Sequence, residues 1–369
     1  MKYLNLLLIF VPVAIVAELA GWNPLIVFVS SGLALIPLAG LIGQSTEALA
    51  THVGPRVGGL LNATLGNAAE LIITIAAIRE GAINPAVRDE LMELVRASLT
   101  GSILGNILLV LGLSILVGGL RHGVQKFNRT HAGVNSTLLL LAVAALVIPS
   151  LFSHTIDQSN HAAVEYLSLG VAGVMIVLYI LALVFQFRQP AEMTYDEEFT
   201  AAKQQAPHWS VRKAAIVLVV STVAIAAMSE LLVGTVGHVV TEIGIPPFFL
   251  GIVIIPIIGN VAEHLVAMQV ALKNKMELSL AISVGSSLQI ALFVAPLLVF
   301  VSLLIGNPLT LVFNQFELIA LMAAVFIAGW CRWTASRTGW KERCCWRSMP
   351  SSDWRSFGCQ LETKLPADC

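Results

Sequence analysis

The sequence Gly66-Asn67-Ala68-Ala69-Glu70 begins an apolar run that extends to Ile78, and it has a close counterpart at Gly259-Asn260-Val261-Ala262-Glu263-His264. The counterpart also lies in a run that is too apolar for a helix of a soluble protein. A carboxylate in the middle of a membrane segment is energetically costly, so its presence indicates a functional site. Because the same unusual motif occurs once in each half of the chain, the pair predicts an internal repeat.

The composition is that of a polytopic membrane protein. Charged residues make up 12% of the chain and hydrophobic residues 57%, with a mean hydropathy of +0.85, whereas a soluble domain carries about 25% charged residues. Helices satisfy their own backbone hydrogen bonds within lipid, so we predict an all-α protein embedded in the bilayer. The net charge of -1 gives no indication of a nucleic-acid partner.

Ten apolar runs approach the length of about 20 residues that a transmembrane helix needs. The first lacks a convincing cleavage site, so we predict a helix there and not a signal peptide. Lys and Arg concentrate in alternate loops, which predicts a cytoplasmic N-terminus, and we expect the cell membrane as the location. The predicted helices are 3–20, 24–43, 58–79, 94–119, 132–151, 162–187, 212–236, 247–272, 277–305 and 316–330.

The two motifs fall on the third and eighth predicted helices, which run in opposite directions, so the sequence predicts an inverted-repeat transporter with its site at the midplane. The predicted parts are an extra N-terminal helix at 1–23, a first repeat at 24–187, an acidic cytoplasmic linker at 188–210, a second repeat at 211–330 and a tail at 331–369.

The tail at 331–369 breaks the repeat, because it contains all five cysteines and never regains a spanning run. The second repeat is therefore predicted to lack its last helix. We interpret the tail as a frame change near codon 329, with a natural cytoplasmic tail as the alternative. Reading the other two frames of the DNA from that codon tests this: the absence of an apolar stretch near membrane length in both would exclude a frame change.

The motif residues supply oxygen ligands. The two carboxylates can hold either a cation or a proton, the two amides stand one turn earlier, and the two glycines permit close backbone approach or a helix break. This set suits a hard cation, Ca²⁺ above all, whereas Zn²⁺ is disfavoured because no cysteine precedes residue 330. We therefore predict a Ca²⁺ substrate, an H⁺ counter-ion and no cofactor. The predicted ion-binding residues are Glu70, Glu263, Asn67, Asn260, Gly66 and Gly259.

Further polar side chains lie on predicted membrane helices. Serines also serve close helix packing, while a membrane-depth amide needs a partner. His264 is predicted to relay protons or tune Glu263, with a plain hydrogen bond as the alternative. Glu47 and Glu230 are candidates for an ion access path, the alternative being a helix end that faces water. The other candidates are Ser98, Ser102, Asn106, Ser283, Ser286 and Gln289.

Over about residues 1–328 the chain resembles the Ca²⁺/H⁺ antiporters, the cation/proton exchanger branch of the Ca²⁺/cation antiporter superfamily, whose two signature motifs are similar to 66–72 and 259–264. The resemblance implies eleven helices, paired ion-binding carboxylates at Glu70 and Glu263, export of cytosolic Ca²⁺ driven by protons, and often an oligomer. The departure is the tail, which stands where the family has its eleventh helix.

Three other functions are alternatives to the exchange of Ca²⁺ for H⁺. A Na⁺/Ca²⁺ exchanger of the same superfamily resembles Gly-Thr-Ser-x-Pro-Glu at the motif, and neither Glu70 nor Glu263 is preceded by proline here. An intramembrane enzyme is disfavoured because the sequence lacks a His-Glu-x-x-His, Gly-x-Ser-x-Gly or paired aspartate motif. A cation channel is disfavoured because inverted repeats with titratable carboxylates favour alternating access.

Overall fold

The computed structural model describes residues 4–53, 55–125, 129–153, 161–188 and 209–329, and all regular structure within these ranges is helical. The helices are α1 (Leu4–Leu19), α2 (Pro24–Val53), α3 (Pro55–Leu65), α4 (Ala68–Ile83), α5 (Pro85–His122), α6 (Arg129–Ser153), α7 (His161–Arg188), α8 (Val211–Ile243), α9 (Pro247–Leu272), α10 (Met276–Ile305) and α11 (Gln315–Gly329). The tail at 331–369 and most of the acidic linker lie outside the described residues.

Seven of the ten predicted spans are helices that are long and apolar enough to cross a membrane, among the residues described: α2 and α5 to α10. The first and tenth predicted spans are shorter apolar helices, α1 and α11. At 1.5 Å per residue, a helix of 16 residues spans about 24 Å, which is less than the hydrocarbon core of about 30 Å. The all-α membrane fold is therefore confirmed for the longer segments.

The third predicted helix, 58–79, is wrong as a continuous element. The structure divides it into α3 and α4, with the break at Gly66 and Asn67. Asn67 leaves the helical region, with φ -100° and ψ 22°, and its carbonyl oxygen accepts the first hydrogen bond of α4 from the Leu71 amide. The break places Glu70 in the first turn of α4, where unpaired backbone N–H groups favour a negative charge.

The two motif helices, α4 and α9, contact each other. α2 packs along α8 and α9, while α4 packs against α5, α8 and α10. α5 also lies against the first turns of α9, and glycines make this approach close: a Cβ at Gly101 would overlap the carbonyl oxygen of Ile252, and one at Gly251 would overlap that of Leu94. Small residues at such crossings are typical of membrane bundles.

The outer surface is apolar, as expected for contact with lipid. α7 exposes Val174, Val177, Ile180 and Leu181, which lie on one side of the helix. The interior, by contrast, contains buried serines, asparagines and two glutamates. This distribution places the polar groups between the helices, where they can form a site.

Candidate functional site

Glu70 is the central residue of the site. It is 3% exposed, and both of its carboxylate oxygens are buried without a hydrogen-bond partner. Its side chain lies directly on Gly259, where a Cβ would stand 2.9 Å from both the carboxyl carbon and Oε1 of Glu70. The glycine of the second motif thus makes room for the carboxylate of the first.

Glu263 approaches the same place from the other half. It lies within α9, which is continuous through the second motif, so the break at Gly66 has no equivalent at Gly259. Glu263 Oε2 is also buried without a hydrogen-bond partner. The Glu263 carboxylate is close enough to Glu70, and separately to Glu47 on α2, for their negative charges to interact.

Asn67 connects the break to α10. Although it is the N-cap residue of α4, its side chain does not cap that helix. Its Nδ2 donates instead to Gln289 Oε1 at 2.8 Å, and its Oδ1 accepts from the Ser286 hydroxyl at 3.1 Å. The amide of the first motif is therefore fixed by a helix of the second half.

Asn106 extends this chain of hydrogen bonds to the second motif. Its Nδ2 donates to Ser286 Oγ at 3.1 Å, and its Oδ1 lies 3.1 Å from His264 Nε2. Asn106 stands at a π-helical segment of α5, Gly105–Val110. The arrangement joins His264 and Gln289 through three intervening side chains, and it supplies the partner that a membrane-depth amide requires.

Asn260 also bonds a serine, with the donor and acceptor roles reversed relative to Asn67 and Ser286. Its Nδ2 donates to the Ser102 hydroxyl of α5 at 3.3 Å. Each motif amide thus bonds a serine in the opposite half: Asn67 bonds Ser286, and Asn260 bonds Ser102. Both serines follow a glycine, at Gly101-Ser102 and Gly285-Ser286.

Three candidate residues stand apart from this network. The Ser283 hydroxyl donates to the backbone carbonyl of Ser279 within its own helix, and Ser98 is buried one turn before Ser102. Glu230 pairs with Arg79 near the far end of α4, and both side chains are about half exposed. Glu230 thus lies within α8, about half exposed and paired with a cation.

The Glu70–Gly259 contact was not predicted from the sequence. The motif indicated that a glycine permits close approach, but the approaching group was expected to be backbone. A second omission is Glu317, which is 3% exposed at the beginning of α11. Its position just inside the tenth predicted apolar run could have identified Glu317 as a buried carboxylate in the sequence.

The arrangement can hold a hard cation between two carboxylates, with neutral amide and hydroxyl oxygens around them. Within the described ranges, no three His, Cys, Asp or Glu side chains converge as a metal-binding group. Zn²⁺, which prefers thiolate and imidazole ligands, does not fit this donor set.

Comparisons with known proteins agree with the motifs. The profile of the sodium/calcium exchanger protein family matches residues 23–188 and 213–345. A Ca²⁺/H⁺ antiporter of Synechocystis is 41% identical over 340 residues, covering 88% of this chain and 89% of the relative. The Ca²⁺/H⁺ antiporter ChaA of Bacillus subtilis is 42% identical over 324 residues, covering 86% and 88%.

A solved structure shares the fold. The structure of native YfkE superposes with a TM-score of 0.74 at 39% identity, covering 88% of this chain and 90% of that one. Both the sequence motifs and the fold thus identify the same group of proteins. The chain therefore belongs to the Ca²⁺/H⁺ antiporter family, within the sodium/calcium exchanger proteins.

Proposed function

We propose that this protein exchanges Ca²⁺ for H⁺ across a membrane, with Glu70 and Glu263 as the carboxylates that bind the two ions in turn. The observation that carries the proposal is the burial of both Glu70 oxygens, without a hydrogen-bond donor, against Gly259. A bare carboxylate at this depth is costly, so it must bind a cation or a proton. The names of the Synechocystis and Bacillus relatives support the same pair of ions.

Competition at one site couples the two ions. Two carboxylates balance the charge of one Ca²⁺, and they become neutral when each takes a proton. Neither bound form leaves a large uncompensated charge in the bundle, whereas the empty ionised form would. A carrier that changes its accessible side only when loaded with Ca²⁺ or with protons performs exchange instead of leakage.

Reciprocal contacts support an inverted repeat. Asn67 and Asn260 each bond a serine that follows a glycine in the opposite half. The helices that hold these serines, α5 and α10, both contain a π-helical segment shortly after the serine, at Gly105–Val110 and Ile290–Val294. We propose two repeats, 24–187 and 211–330, related by inversion around Glu70 and Glu263.

The charged loops support an orientation. Lys and Arg are concentrated in the loops on the side of the N-terminus, with Arg79 and Arg88 as the exception, and we propose that this side is cytoplasmic. In that orientation, located in the cell membrane, the protein would export cytosolic Ca²⁺ using inward movement of protons. We also propose an oligomer and a cytoplasmic linker at 188–210. For the tail at 331–369 we propose a frame change, with a natural tail as the alternative.

A second candidate, Na⁺/Ca²⁺ exchange, is favoured only by the description of the family whose profile matches. Membrane vesicles with an acid lumen separate the two functions. We expect uptake of radiolabelled Ca²⁺ that a protonophore abolishes and that is unchanged when Na⁺ replaces K⁺ outside. Uptake that follows an imposed Na⁺ gradient and ignores the protonophore would exclude proton exchange.

A further inference from the structure

A second polar region lies at the beginning of α11 and includes neither Glu70 nor Glu263. Glu317 is 3% exposed there. Its Oε2 accepts a hydrogen bond of 2.7 Å from the Asn314 amide and so caps the first turn of α11. Its Oε1 is buried and has no hydrogen-bond partner. Capping uses only one oxygen, so the other is available to bind a proton.

A stripe of polar residues on α5 leads from the surface to this carboxylate. Asp89, Glu93, Arg96 and Thr100 are spaced four, three and four residues apart, which places them on one face of the helix. Asp89 is exposed, Glu93 and Arg96 are partly buried, and Thr100 is buried. Glu93, Arg96 and Thr100 lie close enough to Glu317 to interact with its carboxylate. The stripe therefore connects Glu317 to the solution at the beginning of α5.

The charges along the stripe do not balance. Arg96 is the cation that faces Glu317, and it also faces Glu93 and Asp89. Arg79 and Glu230 form an ion pair within contact distance, whereas no such pair joins Arg96 and Glu317 in the described part of the chain. Three carboxylates share one guanidinium, and Glu317 is the most buried of the three. Burial of an unpaired carboxylate is costly, and a bound proton removes that cost.

We propose that Glu317 is a proton-binding residue, which exchanges its proton with the solution along the Asp89–Glu93–Arg96 stripe and sets the dependence of transport on the pH of that side. In the proposed orientation this is the outer side. The group is distinct from the central site, since Arg96 lies six residues, or about 9 Å along α5, before Ser102. The role in transport rests on the proposed exchange of Ca²⁺ for H⁺.

Infrared difference spectroscopy tests proton binding without any transport. The purified full chain is titrated with acid in detergent as wild type, Glu317→Gln and Glu242→Gln, the last being an exposed glutamate at the end of α8. We expect the pH-dependent C=O absorption of protonated carboxyls in wild type and Glu242→Gln to contain a component, beside those of Glu70 and Glu263, that is missing from Glu317→Gln. An identical band in all three proteins would overturn the proposal, whether or not the protein transports Ca²⁺.

Transport at varied pH on the α5-start side tests the role of the residue. Removing the cation in Arg96→Gln should make Glu317 hold its proton more tightly. We expect the pH profile of Ca²⁺ uptake in Arg96→Gln to move to higher pH by about one unit or more. The double variant Arg96→Gln/Glu317→Gln should lose this component of the profile, while Glu317→Asp keeps it.

The variants are interpretable even if one of them folds poorly. Should Glu317→Gln fail to purify as a single species, an unchanged profile in Arg96→Gln would still overturn the proposal. Wild type without any proton-coupled uptake would instead exclude the proposed function, and the infrared titration would then decide proton binding at Glu317 independently.

Discussion

At the scale of single residues, the position of the Glu70 side chain depends on the absence of a side chain at Gly259. The carboxylate of one motif occupies the space that the missing side chain of the other provides. Gly259 lies in the continuous helix α9 and leaves room for the Glu70 side chain, whereas Gly66 lies at a helix break. Two identical Gly-Asn pairs thus have different local structures, and each supports the position of Glu70.

Gly259→Ala tests this contact. The new Cβ would lie 2.9 Å from the carboxyl carbon of Glu70, so that the side chain must move. We expect the apparent affinity for Ca²⁺ to fall by at least about fivefold, corresponding to about 1 kcal/mol. The measurement is the Ca²⁺ dependence of uptake into vesicles.

Gly285→Ala is the matched control, because no heavy atom lies within 4 Å of a Cβ at that glycine. We expect it to retain the wild-type affinity. An unchanged affinity in Gly259→Ala would mean that Glu70 does not need its observed position to bind the ion.

The elements are held together by close helix approach and by side-chain hydrogen bonds. Gly101 of α5 and Gly251 of α9 bring these two helices into backbone contact. Asn106, one turn beyond Ser102 on α5, then bonds α10 through Ser286 and lies beside His264 of α9. Both kinds of contact align α5 against the second motif.

Gly101→Ala should separate α5 from α9, because its Cβ would overlap the Ile252 carbonyl oxygen. We expect a loss of about 1–3 kcal/mol of stability, the usual cost of overpacking. The measurement is the thermal unfolding temperature of the purified protein in detergent.

Gly112→Ala, also on α5 but with no atom within 4 Å of the added Cβ, provides the comparison. Equal unfolding temperatures for the two variants would refute the close approach of α5 and α9.

In the whole molecule, the longer helices were predictable because lipid requires long apolar runs with internal backbone bonding. The division of 58–79 was not, because Gly66-Asn67 and Gly259-Asn260 have the same residue types and only the first is broken. The two asparagines differ in their tertiary contacts, and Asn260 bonds Ser102. Asn67 bonds Gln289, which is 222 residues away in the chain.

The candidate site was predictable to a similar extent. The paired motifs identified Glu70 and Glu263, because carboxylates stand out in apolar runs. The sequence did not distinguish Ser286, which bonds Asn67, from Ser283, which bonds its own helix. That distinction depends on the direction in which each serine faces, and α10 is too rich in serine for spacing to reveal it.

The central claim is that Glu70 and Glu263 both carry the exchanged ions. It is tested most directly by proton-driven uptake of radiolabelled Ca²⁺ in proteoliposomes with wild type, Glu70→Gln, Glu263→Gln and the exposed control Glu242→Gln. An amide cannot alternate between charged and neutral forms. We predict uptake below about a tenth of wild type in the first two variants and wild-type uptake in the control. Wild-type uptake in Glu70→Gln or Glu263→Gln would contradict the account.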